Sequence, residues 1–505
     1  MQRDLGRRTR IVATLALALG FASSIPAVAT SGVSSDTPRL SGADLAVEAS
    51  RISTGQRLQV TGIDLPATGE SIVLEVERFE VFAPDAEIVV HGAGGHVTRL
   101  PAPANAYFRG KVAGEPGSRV FLEVLESGQT RGIVTRAGEE THLFDSADAN
   151  GVAAGRLQAA RVDAAMLKAG REPWKCGEEA LPPTPSVEAG WDILAAAAAS
   201  GTLPAPATAP APEVALYTAR VAVETDYEYY TKFNNTTNAT NYVGNLLGYA
   251  STIYSNEIAT SLIVQSVSLW TSSADPWSQT STTCGLMEFG RYWNINRTGV
   301  SRTIAHFLSG KGLGGGIAWL GVLCSGSFGV GGVSCSGLPA DANWGGGYGF
   351  TASISGTFNI NSPTVMWDIV AVAHEIGHNF NSPHGHCYNG IGGSSSPIDQ
   401  CYGSESGCYS GAASLPGPAG AGSGTIMSYC HLVRSSYSDL SLTFGTGHPY
   451  GVLPGREAAR MSGYVVSTAS GNPSCLALTN PIAIFSSGFE TGVVPGQWNG
   501  KFPPN

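Results

Sequence analysis

The chain has 505 residues, a formal net charge of -10 and only 13% charged residues, and is long enough for two or three domains. No basic patch interrupts the acidic balance, which argues against a nucleic-acid partner. Its 65 glycines, with many Ser, Thr and Asn, favour loops and sheet edges over long helices.

Residues 1–29 read as a secretory signal. Arg3, Arg7, Arg8 and Arg10 form a positive start, Ile11 to Phe21 a short apolar run, and Ala27-Val28-Ala29 a small-residue cleavage site. The run is short for a membrane span, and no other stretch approaches one. The expectation is an exported, secreted protein with no stable membrane insertion after signal cleavage. Export permits disulfides. Eight of the nine cysteines lie between Cys284 and Cys475, and Cys176 stands apart from them. An odd cysteine in an exported chain points to a thiol with a task. Nothing in the sequence fixes an oligomeric state.

Residues 30–180 read as a β-rich unit. Ile72 to Phe82 alternates in its second half, as a half-buried strand does. Tyr107–Val112 and Arg119–Val124 follow, joined by a Gly-Glu-Pro-Gly turn. Gly132–Val134 and Thr141–Phe144 continue the pattern. Residues 181–213 are a Pro- and Ala-rich linker, extended and open to proteolytic nicking.

A second unit, residues 214–475, opens with a strand over Ala215–Thr225, a helical stretch from about Asp226 to Ser255, and a strand over Ser261–Trp270. A further helix is expected over Phe289–Trp293 and, after it, Ile304–Leu308. Ser362-Pro363 is a helix start, with Ser as the N-cap and Pro at the first helical position. The apolar residues after it predict a buried helix. The segment 386–424 is loop-like, Arg456–Val466 closes the unit as a helix, and residues 476–505 form a tail.

The chemistry is concentrated in His374-Glu375-Ile376-Gly377-His378-Asn379-Phe380-Asn381-Ser382-Pro383-His384. At 3.6 residues per turn, His374 and His378 share a helix face, and Glu375 lies beside it. Two imidazoles and a third from His384 can hold one catalytic zinc with a position open for water, and Glu375 is placed as the base. With 10 His and 39 acidic residues in the chain, His-acid-x-x-His arises by chance in roughly one or two of a hundred such sequences. Three buried histidines without a metal would be hard to satisfy. Asn381 tolerates the left-handed turn that ends the helix, and Pro383 stops its continuation, which frees His384 to swing back. His386 is an alternative third ligand, less well spaced, and His431 is a candidate pocket residue.

H-E-x-x-H-x-x-N-x-x-H resembles the metzincin zinc motif, with Asn381 where that motif usually has Gly. Over residues 214–466 the chain is similar to the adamalysin (reprolysin) branch. The resemblance implies an α+β fold: an α/β/α catalytic domain with a mixed, twisted sheet and an active-site helix, preceded by a β-rich propeptide. It implies that Thr425–Cys430 is the Met-turn, with Met427 beneath the zinc. It implies that Gly314–Gly321 includes the edge strand that pairs with extended substrate. Lys175-Cys176-Gly177 resembles the cysteine switch of such propeptides, in which the thiolate keeps the zymogen silent. Tyr429 stands where other metzincin branches place a fifth ligand or transition-state donor.

These readings converge on a secreted zinc metalloendopeptidase, made as a zymogen, with protein or peptide substrates and one zinc ion. Calcium is compatible with such a protein, but no motif indicates it. A zinc amidohydrolase of non-peptide substrates and a non-catalytic zinc-containing adhesion protein are the alternatives. Structural zinc usually takes four protein ligands and needs no adjacent base, so Glu375 weighs against the second.

Overall fold

Alternation of apolar and polar side chains builds the first of two sheets. The computed structural model describes residues 37–65, 68–136, 140–147, 153–163, 167, 174–177, 180–184, 216–339 and 343–479. The predicted signal segment, most of the Pro/Ala-rich linker and all but the start of the tail lie outside the described residues. From Pro38 onward the chain packs as one unit.

Strands β1 (Arg39–Ser41), β2 (Arg57–Leu65), β3 (Glu70–Phe79), β6 (Ala106–Val112), β7 (Glu115–Val124), β8 (Thr130–Thr135), β9 (Thr141–Ala147) and β10 (Ala153–Arg161) form the N-terminal sheet in the order β1-β2-β3-β6-β7-β8-β9-β10. Leu58, Val60, Ile63, Leu74, Phe108, Leu122 and Phe144 line one face and are closed off by Leu45 of helix α1 (Gly42–Glu48). Phe79, Tyr107, Phe121, Ile133 and Leu143 enter a second core on the other side.

Between β3 and β6 the chain leaves this sheet as a hairpin, β4 (Phe82–His91) and β5 (Val97–Pro101). That hairpin joins the second sheet, whose order is β14-β15-β13-β11-β12-β4-β5. Its other members are β11 (Tyr217–Thr225), β12 (Thr260–Trp270), β13 (Ile304–Leu308), β14 (Gly316–Ala318) and β15 (Tyr348–Thr351). β4, β12, β11, β13 and β15 run parallel to their neighbours in that series, while the edges β5 and β14 are antiparallel. A two-residue strand, β16 (Ala477–Leu478), pairs antiparallel with the start of β11. The α+β architecture, a mixed sheet with helices preceded by a β-rich region, matches the expectation.

Two helical expectations need correction. The stretch from Asp226 divides into α2 (Tyr227–Thr231) and α3 (Thr236–Ile258), because Asn234 takes a φ of 49° and Asn235 then caps α3 through the Asn238 N–H. The helix near Phe289 is α4 (Thr282–Asn296), but Ile304–Leu308 is strand β13 rather than a helix. All five of its residues are buried. A parallel strand covered on both faces shows a continuous apolar run, which local periodicity cannot separate from a buried helix.

The helix α3 lies between the sheets. It packs on β12, on the later helix α5 (Val365–Asn379) and on β6 and β7 of the N-terminal sheet. Residues from Ala239 to Ser255 are buried on every side. Phe79, Tyr107 and Phe121 from the N-terminal sheet share one apolar core with Leu246, Tyr249, Val264, Ile369 and Met427. Each such fully buried side chain is worth about 1.5–3 kcal/mol over exposure. A short helix α6 (Cys430–Arg434) follows Tyr429, and helix α7 (Arg456–Gly471) closes the far side with Met461 and Val465.

Ala is the better helix former, by about 1 kcal/mol over Gly. At Gly290 of α4, however, a Cβ would overlap the Trp344 carbonyl. Gly290→Ala is therefore expected to lower stability by about 1–3 kcal/mol, read as a fall in the urea midpoint; an increase would refute this packing.

Candidate active site

The site is built at the C-terminal end of α5, where a nearly all-apolar helix carries His374, Glu375 and His378 into the interior. The helix begins two residues later than the Ser-Pro signal predicts. Thr364 is the N-cap and makes no side-chain cap, while Thr364 N–H and Met366 N–H bond to Ser362 and Pro363 carbonyls in a preceding turn.

Its other end follows the sequence closely. Asn381 has a φ of 74°, the left-handed conformation. The Asn381 N–H donates to the His378 carbonyl (2.8 Å) and the Ser382 N–H to the Gly377 carbonyl (3.1 Å). These two bonds are a Schellman motif. Buried Arg460, from α7, donates from Nη2 to Asn381 Oδ1 (2.9 Å) and from Nε to its carbonyl. Pro383 then carries the chain back so that His384 faces α5.

The three imidazoles form a tight triangle, with centroids 4.7 Å (His374–His378), 5.2 Å (His374–His384) and 4.7 Å (His378–His384) apart. Each is aimed by a partner at Nδ1. His374 Nδ1 donates to the Ile426 carbonyl (2.7 Å), and His378 Nδ1 donates to the Ser382 carbonyl (2.8 Å). A carbonyl only accepts, so both Nδ1 atoms carry the proton. His384 Nδ1 bonds Glu405 Oε2 at 2.8 Å. The Nε2 atoms of His374 and His378 therefore face each other as lone pairs, 3.0 Å apart. Burial holds His374 well below the ordinary imidazole range and pushes His378 down to about 3, and the neighbouring imidazoles add to both shifts. Two neutral lone pairs at that distance repel unless a cation sits at their focus. The ligand atoms of Cys176, His374, His378 and His384 all lie within 4.8 Å of one another. This donor set, nitrogen with one sulfur, fits a tetrahedral zinc ion.

Glu375 lies beside the triangle, fully buried, with Oε2 3.4 Å from Cys176 Sγ. A Cβ on Gly316 would overlap its carboxylate, so the glycine at the edge strand makes room for it. Met427 sits beneath the helix, where a Cβ on Gly377 would meet its Sδ, and its carbonyl accepts from the Gly385 N–H (2.9 Å). The Tyr429 ring packs 4.4 Å from that of His384.

The segment 174–177 fills the cleft between β14 and α5. Lys175 and Gly177 N–H groups donate to the carbonyls of Gly314 (3.2 Å) and Gly316 (2.8 Å), a parallel register. Cys176 is 1% exposed, with Sγ 3.4 Å from His378 Nε2. Tyr429 donates its hydroxyl to the Cys176 carbonyl (2.9 Å), and His431 donates from Nε2 to the Trp174 carbonyl (2.7 Å). The Trp174 ring meets His374 edge-on at 4.6 Å. It borders a cavity of about 670 Å³ walled by Trp367, Ala371, His431 and Tyr437.

The structure thus brings together all seven residues singled out from the sequence. It adds others that carried no local signal: Trp174, Glu405, Arg460 and Tyr402, whose hydroxyl accepts from Lys175 Nζ (2.7 Å). Glu405 accepts from both His384 Nδ1 and His386 Nε2 (2.8 Å each). Burial opposes its charge, but the two imidazoles outweigh it and hold the carboxyl below the usual range. His386 stacks on His384 at 5.3 Å, outside the triangle. Disulfides Cys387–Cys408 and Cys401–Cys430 tie the Glu405 loop to the residues after His384 and to the segment after Met427. Cys284–Cys335 and Cys324–Cys475 complete four bridges. No helix among the described residues is long and apolar enough to cross a membrane.

Residues 215–438 match the Reprolysin_5 family, described as metallo-peptidase family M12. A solved structure of metalloproteinase-II from Bacteroides fragilis is 13% identical, covers 68% of this chain and 88% of its own, and has a TM-score of 0.34. At that score the likeness carries no argument. No curated protein matches.

A Cβ on Gly315 would overlap the Lys175 carbonyl. Gly315→Ala is therefore expected to lift the 174–177 segment, and Cys176 should react with a thiol reagent about tenfold faster or more. An unchanged rate in folded protein would contradict this seating.

Proposed function

We propose, for a chain whose residues 215–438 form a reprolysin-like domain of metallopeptidase family M12, a zinc endopeptidase exported from the cell and made as a zymogen. His374, His378 and His384 are assigned as the zinc ligands. The observation that carries this is the pair of inward Nε2 lone pairs 3.0 Å apart, each imidazole fixed from behind by an acceptor at Nδ1. Such outer partners set tautomer and direction.

Zinc, when bound, supplies Lewis acidity to the scissile carbonyl and acidifies the attacking water. Glu375 takes a proton from that water at its carboxylate and returns it to the leaving amine nitrogen. Strand β14 and the residues just before it offer the carbonyls of Gly316 and Gly314 to an extended peptide, the same groups that hold Gly177 and Lys175. The Tyr429 hydroxyl, bonded to a peptide carbonyl of the segment, is assigned as a donor to the substrate's developing oxyanion. Met427 supports the floor.

The N-terminal region, residues 30–180, is read as a propeptide and 181–213 as the stretch where it is severed, leaving a catalytic unit of 214–475. Cys176 is the latency residue, a fourth donor that closes the site. Four disulfides and the Arg-rich, apolar first 29 residues support export.

Protein cut between residues 181 and 213 and freed of the 174–177 segment should hydrolyse casein. A zinc chelator should abolish that activity. Glu375→Ala should retain zinc and lose about 10²–10⁴-fold in rate; full activity would sink the assignment. Cys176→Ala should give premature activity or autolysis in the uncut chain, and a variant as silent as the parent would remove Cys176 from latency.

A further inference from the structure

The N-terminal region does two separable things. Its last segment, 174–177, fills the cleft through a handful of hydrogen bonds. The rest of it, residues 38–163, is built into the body of the catalytic unit.

Strand β4 supplies a parallel neighbour to β12, from Val264 opposite Phe82 to Trp270 opposite His91. The Val264 N–H donates to the Val81 carbonyl (2.7 Å), and the His91 ring stacks on Trp270 at 4.1 Å. Without β4 and β5 the sheet beneath the site would end in a bare eleven-residue strand, an edge that proteins normally cover.

Helix α3 carries the second contact. Gly is the poorest helix former after Pro, yet Gly244 and Gly248 stand one turn apart on one face. A Cβ at Gly244 would overlap the Tyr107 hydroxyl, and one at Gly248 would lie 2.6 Å from the Phe121 ring and 3.1 Å from Val81. Around these glycines four polar side chains of α3 meet partners from the N-terminal region. Asn105 Nδ2 donates to Asn241 Oδ1 (2.9 Å), and Asn245 Nδ2 donates to Glu123 Oε1 (3.0 Å). The Tyr249 and Thr135 hydroxyls bond at 2.9 Å, and Arg109 donates to Ser255 Oγ (2.8 Å). Buried polar groups left without those partners would be costly, so this face suits a permanent neighbour rather than water.

We propose that residues 38–163 are a lasting partner of the catalytic unit. Severing the chain in the 181–213 stretch leaves a two-chain protein, in which the N-terminal chain completes the sheet and covers α3. Only the 174–177 segment has to leave the cleft for the site to open. That last statement rests on the peptidase reading; the partnership does not.

The test uses the full chain carrying Glu375→Ala, with the recognition sequence of a site-specific protease inserted among residues 203–212. After cutting, the two fragments are expected to co-elute on size-exclusion chromatography at nanomolar concentration and to unfold in one transition. The Val264 amide is expected to stay protected from hydrogen exchange. Gly248→Ala, which improves the helix former, should weaken the association of the cut fragments at least tenfold. Two results would overturn the proposal: fragments that separate at micromolar concentration while the C-terminal one stays cooperatively folded, or a Gly248→Ala protein that holds its fragments as tightly as the parent. Because no activity is read, loss of chelator-sensitive casein hydrolysis elsewhere would strike the peptidase reading alone.

Discussion

Three imidazoles are pointed at a common centre, an arrangement that their own contacts with one another do not hold in place. Each must be held from behind, and each is held by a different part of the chain. Ile426, in the turn that carries Met427, takes the His374 proton. Ser382, in the turn that ends α5, takes the His378 proton. Glu405, in the loop stapled by Cys387–Cys408 and Cys401–Cys430, faces the His384 proton. The geometry of the centre is thus set by three outer acceptors, which explains why loops so far apart in sequence are bridged to one another. Burial keeps the His374 and His378 rings neutral and therefore able to bind a cation.

The same crowding accounts for the glycines of the cleft. Gly316 gives way to the Glu375 carboxylate, Gly315 to the Lys175 carbonyl, and Gly377 to Met427. In each case a backbone must approach a functional group more closely than a Cβ allows. An edge strand of that kind offers backbone hydrogen bonds to any extended chain, whatever its side chains. The segment 174–177 uses those bonds already, so its occupation of the cleft and the docking of a peptide are mutually exclusive.

What could be read from the sequence was local. The His374–His384 spacing and the left-handed turn at Asn381 are short-range patterns with direct chemical causes, whereas the edge strand near Gly316 is implied only by the family resemblance. The start of α5 lies two residues beyond the Ser-Pro signal because a turn intervenes at Pro363 and Thr364. Strand β13 reads as a helix because a strand buried on both faces shows no alternation. Glu405 sits 21 residues beyond His384, and Arg460 sits 79 beyond Asn381. No periodicity links such positions. The departure of β4 and β5 from their own sheet was equally hidden, since strand pairing across 175 or more residues leaves no trace in either strand alone.

Helix α3 connects these levels. One face receives Tyr107 and Phe121 from the N-terminal sheet against Gly244 and Gly248. Other positions reach α5: the Tyr254 hydroxyl donates to the Ala373 carbonyl (2.9 Å), one residue before His374, and the Tyr242 hydroxyl donates to Asp368 Oδ2 (2.6 Å). Asp368 also accepts from the Ser355 N–H (2.8 Å), which ties the start of α5 to the strand end after β15. The position of the histidine helix is therefore fixed through α3, and α3 is fixed on its other side by the N-terminal sheet. A unit that fills the cleft at one end and braces the histidine helix at the other occupies the cleft with a short segment while its larger part supports the helix that carries the histidines.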